Sequence, residues 1–298
     1  MSQTLFLGVP FCAGQPHPGV ALAPALFRKL TSSLNPEWVD LGDVAAPLAG
    51  GAFAHARAIQ RRIADLGRLS SDFLALMGGD HGQALGSIAG MLRHHPDLVV
   101  VWIDAHADAN VPASSPSGNM HGMPLAWLLG ARDGRPDWLD VGLHPRRLIY
   151  VGPRSLDDFE HMLIQELDIT WIKPADLRAT SVHHLVQAAL QVADPSGRAP
   201  VHVSLDVDAL DASLIRATGT PVEGGLDFED VEAVITAITR HRNIACLEIV
   251  EMNPELGDAQ ETRALLEWSR SLYQLAVGPQ RWLPHGYREI LTGVDRRA

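Results

Sequence analysis

Two hydrophobic patterns alternate along the chain. Short runs such as LALM at 74–77 and VVVWI at 99–103 are apolar at consecutive positions, while longer stretches carry apolar residues every third or fourth position. Runs that are apolar on both faces suit parallel strands covered by helices on either side. On this reading strands are predicted over 4–9, 38–40, 73–77, 98–103, 147–151, 169–172, 201–205 and 244–249. Helices are predicted over 24–33, 52–69, 83–94, 124–129, 156–166, 181–192, 227–241 and 262–275. The alternation predicts an α/β fold: a three-layer, doubly wound, mostly parallel eight-stranded sheet flanked by helices. No repeat, low-complexity tract or shift in composition divides the chain, so one domain over 1–298 is expected. The Ser/Pro-rich stretch 112–118 reads as a loop, and 279–298, weakly periodic, as a tail or short helix.

In an open sheet of this kind ligands bind beyond the carboxyl ends of the strands. That directs attention to 78–81, 104–110, 206–210 and 251–254, each of which follows a predicted strand.

Composition narrows the function classes. Hydrophobic residues make up 46% of the 298, enough for a large core, and charged residues 20%. The formal net charge of −11 argues against a phosphate-tracking groove, so no nucleic-acid partner is expected. It leaves cation binding open. The two cysteines, Cys12 and Cys246, form neither a disulfide framework nor a CxxC clip and read as free thiols in a reducing compartment. The first eleven residues lack the basic start and cleavage pattern of a signal peptide. No apolar run approaches the ~18–20 residues of a membrane helix. A cytoplasmic protein with no membrane partner is expected.

The chemistry lies at the strand ends. In Asp104-Ala105-His106-Ala107-Asp108 a spacing of two puts three metal-competent side chains on one side of an extended segment. Burying such carboxylates without a cation would be costly, although a lone DxHxD could be a solvated turn. Asp206 and Asp208 repeat the spacing in SLDVDALD at 204–211; alone, they could be helix-capping aspartates. GGDH at 78–81 adds His81 after a tight glycine turn, where a packed histidine would be the ordinary expectation. Together the three segments supply four Asp and two His after three different strands. Such a set would hold two divalent ions with shared carboxylates, and its oxygen-rich, part-imidazole character suits Mn²⁺ better than a thiolate-seeking ion. Two such ions and a hydroxide would leave about one negative charge against four carboxylates, a site that favours a cationic substrate.

These segments resemble the ureohydrolase family and, within it, the arginases. GGDH at 78–81, DAHADAN at 104–110, SGNMHGMPLA at 117–126, SLDVDALD at 204–211, ATGTPVEGG at 217–225 and EMNPELG at 251–257 occur in compatible order and spacing. With Gly14-Gln15-Pro16 the likeness spans nearly the whole chain. The resemblance implies two Mn²⁺ per chain, held by His81, Asp104, His106, Asp108, Asp206 and Asp208, with Asp104 and Asp206 bridging. It implies hydrolysis of the guanidinium of L-arginine to urea and L-ornithine by attack of a metal-bridging hydroxide. Asp108 would pass a proton to the leaving amine, His121 would shuttle protons, and Glu251 would face the guanidinium, with a hydrogen bond from Thr220 nearby. It also implies a homotrimer or homohexamer.

Substrate choice is expected to lie in the following loop. Asn110, Ser115 and Ser117 stand where arginases hold the α-carboxylate, Asp157 where they meet the α-amino group, and Glu160 where a water-mediated contact is made. The rivals within this chemistry are agmatinase, guanidinobutyrase and formiminoglutamase. A one-zinc amide deacetylase and a silent binding protein lie further off. Gly82, Pro116, Pro153, Ser155, Pro18 and Ala23 depart from the family pattern without touching a proposed ligand. His94, His95, His144, His183, His184 and His241 are expected to be packed or solvated.

Overall fold

The structure, a computed structural model, describes residues 3–31, 38–45, 47, 49–66 and 72–278. Among the described residues there are eight strands, β1 (Thr4–Gly8), β2 (Trp38–Asp43), β3 (Phe73–Met77), β4 (Val99–Ile103), β5 (Leu148–Val151), β6 (Thr170–Ile172), β7 (Val201–Asp206) and β8 (Ile244–Val250). They form one sheet in the order β2-β1-β3-β8-β7-β4-β5-β6, and every pairing is parallel. The expectation of a mostly parallel sheet thus becomes an all-parallel one.

Period-two alternation sends each strand's side chains to two cores. One core joins Met77, Val101, Ile103, Val203, Leu205 and Leu247 to helices α1 (Ala23–Thr31), α7 (Val182–Ala193), α8 (Phe228–His241) and α9 (Ala259–Val277). The other joins Leu74, Leu76, Val100, Trp102 and Tyr150 to α2 (Gly51–Ala64), α3 (Ala84–His94), α4 (Pro124–Leu128) and α5 (Asp158–Glu166). Both layers follow from the runs that are apolar at consecutive positions.

Boundaries moved for identifiable reasons. β2 continues past the expected end through Leu41, Gly42 and Asp43, where turn-type residues hide an edge strand. A register shift against Phe6 and Gly8 accommodates it, and Arg28 bonds Asp40 and Asp43 there. α6 (Pro174–Ala179), too short to show a period, was not expected. α5 starts late because Asp157 sits outside it in an extended conformation. The expected helix ends at 32–33 and 67–69, and the tail 279–298, lie outside the described residues. Among the described residues no helix is long and apolar enough to cross a membrane.

The order places β3, β8, β7 and β4 side by side at the centre. Residues from GGDH, EMNPELG, SLDVDALD and DAHADAN, far apart in sequence, therefore meet at one edge.

Candidate metal centre and substrate cavity

At the carboxyl edge of the sheet two ligand sets form around one shared residue. His81 Nδ1 lies 3.0 Å from Asp104, 3.2 Å from Asp108 and 3.3 Å from Asp206. His106 Nδ1 lies 3.1 Å from Asp208 and 3.5 Å from Asp104. His81, Asp104 and Asp108 could hold one ion, and Asp104, His106 and Asp208 another. Asp104 therefore belongs to both sets, while Asp206, also expected to bridge, stands against His81.

Local turns aim these groups. Asp104 accepts the His106 N–H at 2.7 Å, Asp206 accepts that of Asp208 at 2.8 Å, and Asp208 accepts that of Ala105 at 3.2 Å. Each bond occupies one carboxylate oxygen and turns the other inward. Asp108 adopts a left-handed backbone with φ of 48°, as does Glu251 with φ of 62°. Side chains rarely take that conformation unless the surroundings hold them there. Gly79 is tightly enclosed: an added Cβ would meet Phe11 O, just beyond β1, at 1.6 Å, its N–H donates to Gln83 Oε1 at 3.0 Å, and its carbonyl accepts the Glu251 N–H at 2.8 Å. Gly82, one of the departures, has Asp80 and Phe11 where a side chain would go.

The donor set fits divalent cations. Burial, with repulsion from Asp104, pushes Asp108 up to about 6, and burial with repulsion from neighbouring aspartates raises Asp206 and Asp208. Burial opposes protonation of His106, but Asp208 and Asp104 outweigh it and push the ring up to about 12. His81 Nδ1 is buried without a hydrogen-bond partner. Crowded carboxylates and a bare imidazole nitrogen facing one another form a site that a cation would relieve.

The centre opens into a cavity of about 330 Å³ lined by His106, Asp108, Asp206, Thr220 and His121 near its floor, and by Asn110, Ser115, Ser117, Asp157 and Glu160 toward its mouth. Asn110 Nδ2 donates to Asp157 at 2.8 Å. Ser115 is half-buried and Ser117 exposed, and their hydroxyls lie 3.5 Å apart. Glu160, pushed up to about 7 by burial, accepts the N–H groups of Ala109 and Asp157 at 3.0 Å each and so ties the loop to the start of α5.

Two expected substrate contacts are engaged by groups of the site itself. Thr220 Oγ1 donates to Asp208 at 2.8 Å, so its proton is already engaged by the centre. Glu251 is 1% exposed and stands outside the cavity wall. It accepts from the His81 N–H at 2.9 Å, from His121 Nδ1 at 3.0 Å and from Gln15 Nε2 at 2.9 Å. Burial opposes the His121 charge, but Glu251 holds the ring at about 9. The physical reason is the left-handed turn, which carries Glu251 beneath His121.

Sequence reasoning missed several positioning groups. Trp102 stacks on His81 at 3.8 Å and donates its Nε1–H to Asp104 at 2.8 Å. Its place two residues before Asp104, on the same strand face, was a usable signal. Gln15 was visible within a quoted motif. Arg154 reaches the carbonyl oxygens of Gly152, Asp208, Ala209, Leu210, Val222 and Glu223 at 2.8–3.4 Å and clamps the two loops that carry Asp208 and Thr220. Nothing in the sequence around Arg154 announces that. Of the histidines set aside, His94 bonds Ile63 O at 2.9 Å, and His183 and His241 face each other at 3.4 Å, away from the cavity.

An all-parallel α/β sheet with two sets of metal-competent carboxylates and imidazoles at its carboxyl edge is the frame of a metal-dependent hydrolase. The chain belongs to the arginase family: the family's sequence pattern, described as Arginase family, matches residues 2–270. An arginase of Schizosaccharomyces pombe is 32% identical over 293 residues, covering 91% of each chain. Arginase-1 of Mus musculus is 32% identical over 302 residues, covering 92% of each. Among solved structures, an Entamoeba histolytica arginase in complex with L-ornithine superposes with a TM-score of 0.82 at 28% identity, covering 91% of this chain and 98% of that one. A Bacillus subtilis arginase gives 0.83 at 28%, covering 95% and 100%.

Proposed function

We propose that the chain hydrolyses the guanidinium group of L-arginine to urea and L-ornithine with two Mn²⁺ bound. The observation that carries this reading is the pair of ligand sets sharing Asp104, opening on a cavity whose mouth holds Asn110, Ser115, Ser117 and Asp157. His81, Asp104, Asp108 and Asp206 would hold one ion, and Asp104, His106 and Asp208 the other. Carboxylate and imidazole donors with no thiolate suit Mn²⁺. Bound divalent cations supply Lewis-acid polarisation and activation of water.

The chain's own residues supply the rest. Asp157 and Asn110, already bonded to each other, offer an anionic and an amide group for an α-amino and an α-carboxylate. Ser115 and Ser117 add hydroxyl donors, and Glu160 keeps the loop against α5. Asp108, which lines the cavity, would receive a proton and pass it to the leaving amine. His121, held protonated by Glu251, is the nearby proton store. Glu251, its Oε2 bonded by Gln15 and its Oε1 by His81 and His121, would supply negative charge behind His121 for a cationic group, while Thr220 fixes Asp208. We further propose one catalytic domain working in the cytoplasm as a homotrimer or homohexamer, on the strength of the family resemblance.

The test is urea release by purified, Mn²⁺-loaded protein with L-arginine and agmatine side by side. Preference for arginine, lost on Asp108→Ala, is expected. Activity on agmatine alone would overturn the reading of Asn110, Ser117 and Asp157 and keep the metal chemistry; no urea from either would overturn the guanidinium reading.

A further inference from the structure

β8 reads IACLEIV, and Glu248 is its one charged residue. It lies with Gln83, Ser87, His202 and Ser204 behind the metal centre, all five fully buried. Four side-chain donors converge on its carboxylate. Oε1 accepts from Ser204 Oγ at 2.9 Å and from His202 Nε2 at 2.9 Å; Oε2 accepts from Ser87 Oγ at 2.7 Å and from Gln83 Nε2 at 3.2 Å. The Gln83 amide cannot turn round freely, because its Oε1 accepts the Gly79 N–H at 3.0 Å. An ionised carboxylate has only acceptors to offer, so the direction of each bond is fixed.

The direction propagates. Ser204 has one proton, and it goes to Glu248. Its oxygen is then left to accept, and 2.8 Å away stands His81 Nε2. That nitrogen must carry the hydrogen, so in the neutral ring Nδ1 is bare. Nδ1 is the atom facing Asp104, Asp108 and Asp206.

We propose that Glu248 is a positioning residue for the metal centre: through Ser204 it fixes the tautomer of His81 that turns the Nδ1 lone pair toward a divalent cation, with His202, Ser87 and Gln83 holding Glu248 in place. This rests on the metal reading above and deepens it. A glutamine at 248 offers a donor in place of an acceptor. Ser204 is then free to turn its proton to His81 Nε2, which selects the tautomer with Nδ1 blocked. Such supporting partners typically govern metal affinity by about 10–100-fold.

The experiment is Mn²⁺ titration of the full chain, with stepwise affinities read against a competing chelator. Wild type is compared with Glu248→Gln, Ser204→Ala, the double variant and the charge-retaining Glu248→Asp. Glu248→Gln and Ser204→Ala are expected to weaken one binding step about 10–100-fold and leave the other within about threefold. The double variant should be no weaker than either single one, and Glu248→Asp should recover part of the loss. A carboxylate that only stabilised the fold would not single out one ion. Unchanged affinities, or equal loss in both steps, would overturn the proposal. Should Glu248→Gln fail to fold, Ser204→Ala reads the same link, with unchanged affinity again overturning it. Wild-type protein that binds no Mn²⁺ would overturn the metal reading and this one with it, whereas normal wild-type binding with unaltered variants would overturn this one alone.

Discussion

Replacing Arg154 with methionine keeps most of the aliphatic stem and removes every donor. Five N–H groups currently serve six carbonyl oxygens on three segments. Arg154 is half-buried, so water can reach some of those oxygens once the guanidinium is gone. Counting about three that it cannot reach, at roughly 1 kcal/mol each, gives a loss of about 3 kcal/mol. Unfolding entropy near 2.1 cal/mol/K per residue amounts to about 0.6 kcal/mol/K for a chain of 298 residues. The expected fall in Tm is therefore about 5 °C, read by circular dichroism on chelator-treated protein. Arg154→Lys, with three donors on a point charge, should lose about half as much. Because the clamp joins the backbone of Asp208 to that of Val222, with Thr220 between, kcat/KM for the guanidino substrate should also fall, by about tenfold or more. A Tm within about 1 °C of wild type, with unaltered kcat/KM, would refute the argument by showing that water replaces the guanidinium at no cost.

Asp194 accepts from Ser196 N and Oγ and from the N–H groups of Arg198 and Ala199. Burial opposes its charge, but these donors hold its carboxyl down at about 2. A depressed acid stabilises fully above its unfolded value near 3.9 and loses that contribution as pH falls through about 2. Asp194→Asn should therefore lower the urea midpoint at pH 7, and the gap to wild type should close below about pH 4; a gap constant with pH would count against the ionised acceptor. Gly79→Ala forces a Cβ to 1.6 Å from Phe11 O, so soluble expression should collapse. A variant that expresses and melts like wild type would disprove the close approach. Asp168, exposed with φ of 50°, should tolerate glycine with up to about 1 kcal/mol of gain and lose a similar amount on substitution by alanine, measured by chemical unfolding. The opposite order would be inconsistent with a left-handed residue there.

What the sequence made legible was whatever periodicity or spacing could carry. VVVWI and LALM announce strands buried on both faces because a parallel sheet needs no polar face. The i, i+2 carboxylates announce a site because they recur, with histidines, after three different strands, although each alone has an ordinary reading as a turn or a cap. Glu251 is expected to face the guanidinium, and its place against His121 comes from a left-handed turn, which leaves no periodic trace. Thr220 and Asp208 are twelve positions apart, so their bond is a product of loop folding. Arg154 is invisible for a related reason: its partners are backbone carbonyls, which every residue has. Glu248 was the missed signal of most value, since a single charge in an otherwise apolar strand must be answered by partners in the core.

The order β2-β1-β3-β8-β7-β4-β5-β6 has a consequence for how the chain comes into being. The first three strands form one wing and the fourth to sixth the other, with the last two closing the gap between them. His81 stands on one wing and residues 104–108 on the other, while Asp206, Asp208 and Glu251 arrive on the closing strands. During synthesis no prefix that stops short of β7 brings all the ligands together, so a growing chain carries half-built acidic pockets until the keystone strands insert. Contacts this distant in sequence form slowly, so the two sets of metal-competent side chains can share one edge only once β7 and β8 join the wings.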